Sequence, residues 1–221
     1  MIATQAEARA LVAELGEPGS VQRCEHLLAL LADENTRQNL VSAASLGEAW
    51  VRHIADSAQL LRNVPRETSG PWLDLGTGAG FPGLVIAALR PALPVVMVES
   101  RARRVAWLEH AARELGLANS RVLGSRLELV ESFPAGVISA RAFAPLDRLL
   151  EISARFSTAD TLWMLPKGRS AWDEVNRLAG WQHMFHVEQS LTDPDAGVVV
   201  GTVSGPLAAE VQPRGKKARS R

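Results

Sequence analysis

Residues Trp72-Leu-Asp-Leu-Gly-Thr-Gly-Ala-Gly-Phe-Pro-Gly83 put an acid near the end of a short apolar run and then four glycines within eight residues. Glycine at that density lets bare backbone approach a nucleotide-like ligand at the carboxyl edge of a parallel sheet. Two registers compete. Gly78-Ala-Gly80-Phe-Pro-Gly83 satisfies the dinucleotide pattern G-x-G-x-x-G, whereas Asp74 with Gly76-Thr-Gly78-Ala-Gly80 satisfies D-x-G-x-G-x-G, the loop of S-adenosylmethionine enzymes. The apolar run ends at Leu75, so the dinucleotide register would begin two residues late. Pro82 suits the first turn of a helix after Gly80 but would interrupt a phosphate loop in the other register. The second register is therefore preferred, with ligand contacts expected at Gly76, Gly78 and Gly80. Glu99 lies 23 residues beyond Gly76, at the end of the next apolar run. A carboxylate there can accept both ribose hydroxyls of a nucleoside, which serves adenosylmethionine and NAD alike.

The elements that must hold these groups follow from periodicity. Leu73–Leu75 predicts a strand, 82–90 a helix with Pro82 in its first turn, and Val95–Glu99 a second strand. Ser100 is expected to cap a helix whose face is Val105, Leu108, Ala112 and Leu115, stopped by Gly116. Further strands are expected at Arg121–Leu123, 136–139 and Thr161–Leu165, with an antiparallel hairpin from His183–Val187 and Val198–Val203. Upstream, Cys24, Leu27, Leu28 and Leu31 give one helix an apolar face, and Ser45 with Glu48 predicts a capping box before a helix over 49–61. The Pro, Gly and Ser-rich stretch 65–71 is a boundary. The expected organisation is an N-terminal helical subdomain over 1–64, a doubly wound α/β core over 65–207, and a basic, disordered tail over 208–221.

Composition narrows the class. The chain has 221 residues, 47% hydrophobic and 22% charged, enough for one full core. No apolar run is long enough to span a membrane and Met1-Ile-Ala-Thr-Gln-Ala-Glu7 lacks a secretory pattern, so a cytoplasmic protein without membrane partners is expected. The single cysteine, Cys24, excludes an internal disulfide and any multi-cysteine metal site; a buried structural thiol is expected. The zero net charge hides an asymmetry: residues 214–221 hold five of the 24 basic groups and no acid, leaving 19 basic against 24 acidic groups in 1–213. Affinity for nucleic acid must then come from local patches and the tail.

The segment Leu73-Asp-Leu-Gly-Thr-Gly-Ala-Gly-Phe-Pro-Gly-Leu84, with Ala87 and Arg90-Pro91, closely resembles the RsmG (GidB) family of small-subunit rRNA guanine-N7 methyltransferases. The resemblance continues through Glu99-Ser100, Arg103-Arg-Val-Ala-Trp-Leu108, Ser125-Arg-Leu-Glu128, Ser139-Ala-Arg-Ala-Phe-Ala144 and Leu165-Pro-Lys-Gly168. Upstream, Asn39-Leu-Val-Ser42 and Val51-Arg-His-Ile-Ala-Asp-Ser57 are similar to the family's helical extension. An extra alanine after Ser139 leaves that serine out of the common pattern, while Arg141 onward aligns. The resemblance implies a class I S-adenosylmethionine-dependent methyltransferase, with a Rossmann-like, mostly parallel seven-stranded sheet and an N-terminal helical extension. It further implies methyl transfer to N7 of a guanine in the 530 loop of 16S rRNA, with 16S rRNA or the small ribosomal subunit as partner and a monomeric enzyme. Carried over by position, cofactor contacts are implied at Gly76, Phe81, Leu127, Glu128 and Arg141.

Guanine N7 has an exposed lone pair and no proton, so the reaction needs positioning and water exclusion rather than a general base. No catalytic base and no metal are expected. Consistent with this, the chain has no Asn-Pro-Pro-Tyr or Asp-Pro-Pro-Tyr loop and no tyrosine. Substrate positioning is expected of Arg141 and Lys167 at strand ends, and of Arg52, His53 and Asp56, read with Ser57 as two i,i+4 pairs on one helix. Arg101, Arg103 and Arg104 stand at a helix start, where they oppose the macrodipole, and are read as phosphate-facing. His183 and His186 are expected on opposite faces of one strand. The fold alone leaves open a small-molecule or protein methyltransferase, or a non-catalytic RNA-binding assembly factor.

Overall fold

The computed structural model describes residues 1–206, and the basic tail lies outside the described residues. Alternating strands and helices build a seven-stranded sheet of order β3-β2-β1-β4-β5-β8-β7. Its strands are β1 (Trp72–Leu75), β2 (Val95–Glu99), β3 (Ser120–Gly124), β4 (Val137–Ala140), β5 (Leu162–Gly168), β7 (His186–Gln189) and β8 (Gly197–Gly201). The first five in spatial order run parallel; β8 pairs antiparallel with β5, and β7 antiparallel with β8. Strand order reverses at β1, whose neighbours are β2 on one side and β4 on the other. The carboxyl ends of β1 and β4 therefore flank the switch point where open α/β sheets bind ligands.

Strand β1 shows how the pattern fills both faces. Trp72 enters one apolar layer, with Leu84 and Ile86 of α5 (Gly83–Leu89) and Leu108 of α6 (Ala102–Glu114). Leu73 and Leu75 enter the other, with Leu149 and Leu150 of α7 (Leu146–Ser153) and Ala171 of α8 (Ala171–Arg177). The N-terminal helices α1 (Gln5–Leu15) and α2 (Ser20–Glu34) send Val12, Cys24, Leu27 and Leu31 into the first layer. The Cys24 thiol is fully buried, and burial pushes its pKa up to about 12, as suits a structural thiol.

Five local expectations are corrected. Helix α5 begins at Gly83, with Pro82 in the capping position rather than in the first turn. Ser100 does not cap α6; Arg101 occupies that position, and the amides of Ser100 and Arg101 donate instead to Glu99 Oε1 at 2.8 and 2.9 Å. Ser45 and Glu48 form no capping box, because Ser45 lies inside the short helix α3 (Ala43–Gly47) and its amide donates to the true cap, Ser42, at 3.1 Å. The helix expected over 49–61 is a π-turn segment, Trp50–Ala55, then the short α4 (Asp56–Ala58), then a 3₁₀ turn, Gln59–Asn63. The terminal hairpin is split: His183 belongs to β6 (Trp181–His183), which pairs with β9 (Val203–Pro206) in a separate two-stranded sheet. The split falls where Gly201 runs against the Met184 backbone, with no room for a β-carbon. His183 and His186 are thus on different strands of different sheets.

Candidate active site

Register brings two loops together at the switch point. Leu75 is paired with Ala140, so Gly76 and Arg141 leave the sheet side by side. Gly76, Gly78 and Gly80 all have positive φ, at 63°, 60° and 101°, a conformation that glycine adopts without steric cost. Space differs along the loop. A β-carbon at Gly76 would collide with the Phe143 ring, whereas one at Gly78 would meet nothing closer than Arg104 at 3.5 Å.

Two acids fix the loop. Asp74 is fully buried and accepts from the Gly83 amide at 2.9 Å and from Ser139 Oγ at 2.7 Å. Ser139 in turn accepts from Trp72 Nε1 at 2.7 Å. Burial raises the Asp74 pKa to about 6, against the lowering effect of the Ser139 and Gly83 hydrogen bonds. Asp74 is therefore a structural anchor between β1, β4 and the start of α5. Glu99, 6% exposed, takes Gly78 N at 3.1 Å on Oε2 and two amides on Oε1. A carboxylate has about four acceptor directions, so one remains on Oε2. A ribose diol engaging both oxygens has to displace one of these amides, a narrower capacity than the sequence suggests.

The expected site residues divide into those that meet at the loop and those that do not. Phe81 is buried, with His53 stacked on it at 4.8 Å and 13° and the Arg141 guanidinium 5.3 Å above its centroid. His53 is 7% exposed, its Nε2 has no partner, and its Nδ1 lies 3.5 Å from Arg141 Nη2. Burial first, then the charges of Arg141 and Arg52, lower its pKa to about 4, so the ring is neutral. Asp56 joins three segments: it accepts from Arg141 at 3.2 Å, from Thr192 Oγ1 at 2.9 Å and from Gln59 Nε2 at 2.9 Å. The expected Arg52–Asp56 pair is not formed; in the π-turn segment Arg52 faces Glu48 at 3.1 Å and Asp193 at 3.9 Å. Ser57 Oγ donates to the His53 carbonyl at 2.6 Å rather than to its ring.

Lys167 lies at the carboxyl end of β5, but its ammonium donates to the Ala144 carbonyl at 2.6 Å and pairs with Glu174 at 2.9 Å. Leu127 is buried in a 3₁₀ turn just beyond β3, and Glu128 beside it is exposed, its pKa lowered by its own backbone amide and by Arg126. That turn follows Gly124, the register partner of Glu99, so both lie at the same sheet edge. Arg104 approaches Glu99 at 3.9 Å, while Arg103 donates to the Arg37 carbonyl at 2.9 Å, which ties α6 to the segment after α2. The basic triplet is therefore divided between the glycine loop and an internal tie, with Arg101 at the α6 cap position. Among the described residues, no group of three or more His, Cys, Asp or Glu side chains is placed to hold a metal ion.

Beside the glycine loop opens a cleft of about 570 Å³. One wall carries Arg141, Ala142, Phe143 and Ala144, another Pro166, Lys167 and Glu174, and a third Arg52, Asp56, Thr192 and Asp193. Sequence reasoning missed Ser139, Phe143, Glu174 and Thr192 as parts of this arrangement. Ser139 and Phe143 lie within the segment 139–144 already singled out, whereas Glu174 and Thr192 carry no local signal because they reach the cleft from distant loops and helices.

The donor and acceptor set fits an adenosyl sulfonium cofactor. Left-handed Gly76 and Gly78, both part-exposed, present backbone at the sheet edge, whereas Gly80 is buried against Leu84 and Leu108. A β-carbon at Gly78 would meet only ordinary contacts, and Glu99 retains an acceptor direction beside it. Comparison with known proteins agrees. A family described as "rRNA small subunit methyltransferase G" matches residues 20–192. Proteins named ribosomal RNA small subunit methyltransferase G are 60% identical over 202 residues in Erythrobacter litoralis, covering 91% of this chain and 97% of the relative. The one from Novosphingobium aromaticivorans is 58% identical over 205 residues, covering 90% and 89%. A solved S-adenosylmethionine-dependent methyltransferase from Aquifex aeolicus shares the fold, with a TM-score of 0.54 at 16% identity, over 67% of this chain and 89% of that one.

Proposed function

Since the chain belongs to the rRNA small subunit methyltransferase G family, we propose that it methylates N7 of a guanine in the 530 loop of 16S rRNA, with S-adenosylmethionine as donor. The observation that carries this reading is the contact between the two halves of the site. The glycine loop and the Arg141 segment leave paired strands side by side, and Phe143 of the cleft packs on Gly76 of the loop.

In this reading Gly76 and Gly78 receive the cofactor, the expected contact at Gly80 gives way to its packing on Leu84 and Leu108, Glu99 accepts a ribose hydroxyl, and Leu127 and Glu128 stand at the adenine end. Bound there, S-adenosylmethionine supplies an electrophilic methyl group. The protein's own work is positional. Phe81, directly after the glycine run, stacks on His53 and carries Arg141 over its ring; Asp56, which also lines the cleft, accepts from that guanidinium. Arg141 and Arg52 then offer charge to the RNA backbone, where arginine suits bidentate phosphate contacts. Lys167, already paired with Glu174, shapes the opposite wall through Ala144 rather than acting as a free cation. Guanine N7 brings no proton to remove, so the neutral, buried His53 supports Phe81 and Arg141 and does not act as a base.

Incubating the protein with methyl-labelled S-adenosylmethionine and small ribosomal subunits tests the proposal. Label is expected in the RNA fraction. Label confined to protein or to small molecules would refute it. No transfer together with no cofactor binding in equilibrium dialysis would favour a non-catalytic RNA-binding role.

A further inference from the structure

We propose that Phe143 is the stacking platform for the target guanine, a substrate-positioning role that rests on reading the cleft as the guanosine site. Phe143 is 38% exposed and belongs to neither apolar layer of the core. It is the one aromatic side chain lining the 570 Å³ cleft among the described residues. Its ring also lies against Gly76, so it stands at the junction of cleft and cofactor loop, where a base must sit to meet a methyl group.

The loop holds the ring there from both sides. Ala142, immediately before it, has a φ of +52°, the left-handed conformation that disfavours a residue with a β-carbon. Such strain persists only where the surroundings enforce it, and it gathers at working sites. Here the enforcing contacts are visible on both sides. Arg141 is fixed by Asp56; Ala144 is held through its carbonyl by Lys167, and Leu146 through its amide by Glu174 at 2.7 Å. Ser170 Oγ donates to the other oxygen of Glu174 at 2.5 Å, which orients that carboxylate. An ion pair that looks like substrate machinery is thus spent on the backbone flanking one exposed aromatic ring. Unpaired bases of RNA loops are commonly recognised by stacking on aromatic side chains, which have no need of a particular base edge.

The test uses the full-length protein with small ribosomal subunits and compares Phe143→Leu with Phe143→Tyr. Leucine keeps bulk without a π face; tyrosine keeps the face. The expected result for F143L is a loss of about 5- to 150-fold in kcat/KM for RNA, the range for one base stack. F143Y should stay within about 3-fold of wild type, and S-adenosylmethionine affinity by dialysis within about 3-fold in both. An F143L enzyme as active as wild type overturns the inference. So does a loss of cofactor affinity in step with activity, which would make the ring a support for the glycine loop, and so does F143Y failing as badly as F143L. Absence of RNA label from the wild-type protein would remove the guanosine reading and this inference with it, whereas wild-type label with an indifferent F143L removes this inference alone.

Discussion

Replacing His53 with phenylalanine should remove one source of acid sensitivity from the fold. The ring is buried, stacked on Phe81, and faces Arg141 through Nδ1. Burial, then Arg141 and Arg52, depress its pKa from 6.5 to about 4. The unfolded chain therefore takes up a proton below pH 6.5 that the folded protein refuses until about pH 4. For a group depressed on folding, the stabilising contribution is complete above the unfolded value and is lost as pH falls toward the folded one. Between about pH 7.5 and about pH 5 this difference amounts to roughly 2 kcal/mol. Asp74 runs the other way, since its raised value of about 6 means the folded protein takes the proton first as pH falls. The wild-type profile is the sum of these opposed slopes, and only a difference between proteins isolates the histidine. Phenylalanine preserves ring stacking and volume; loss of the Nδ1 acceptor is an offset that does not vary with pH. Urea unfolding of both proteins at the two pH values reads the effect through midpoint and slope. H53F should gain about 2 kcal/mol on wild type as pH drops across that interval. An unchanged gap would show that His53 is not held neutral by the fold.

Glu99→Ala should weaken S-adenosylmethionine binding by about 10- to 100-fold in equilibrium dialysis, the worth of a charge-assisted hydrogen bond, and undiminished affinity would remove Glu99 from the ribose position. Gly76→Ala and Gly78→Ala share the left-handed strain of about 1–2 kcal/mol, but only the first collides with Phe143. In urea unfolding Gly76→Ala should therefore be the more destabilised, and equal losses would mean that the Phe143 ring does not rest on Gly76.

The sequence was informative where chemistry is local. The strand, acid and glycine run announce β1 and its loop because backbone approach demands glycine at fixed offsets, and Glu99 follows at the next strand end. The strand–helix alternation likewise predicts a doubly wound α/β core, and the mostly parallel seven-stranded sheet that the resemblance implies is present. What stayed hidden depends on contacts between distant residues. Lys167 reads as a free cation until Glu174, on a later helix, is seen to neutralise it. Ser139 falls outside the common motif, yet it bridges Trp72 and Asp74 because β1 and β4 happen to pair in that register. The π-turn segment that separates Arg52 from Asp56 has no periodic signature distinguishing it from an ordinary helix. Ser45 and Glu48 have the right spacing for a capping box, but Ser42 had already started the helix.

In the proposed reaction the joined loop and cleft deliver a methyl group to guanine N7. Borohydride reduces the cationic ring of N7-methylguanosine, which loosens the base, and aniline then breaks the chain there, so methylated small-subunit RNA reports its own modified position. One new cleavage is expected, at a guanine of the 530 loop, present with the wild-type protein and S-adenosylmethionine and absent when either is omitted. Methyl label in the RNA without an aniline-sensitive break, or a break at another guanine, would contradict it.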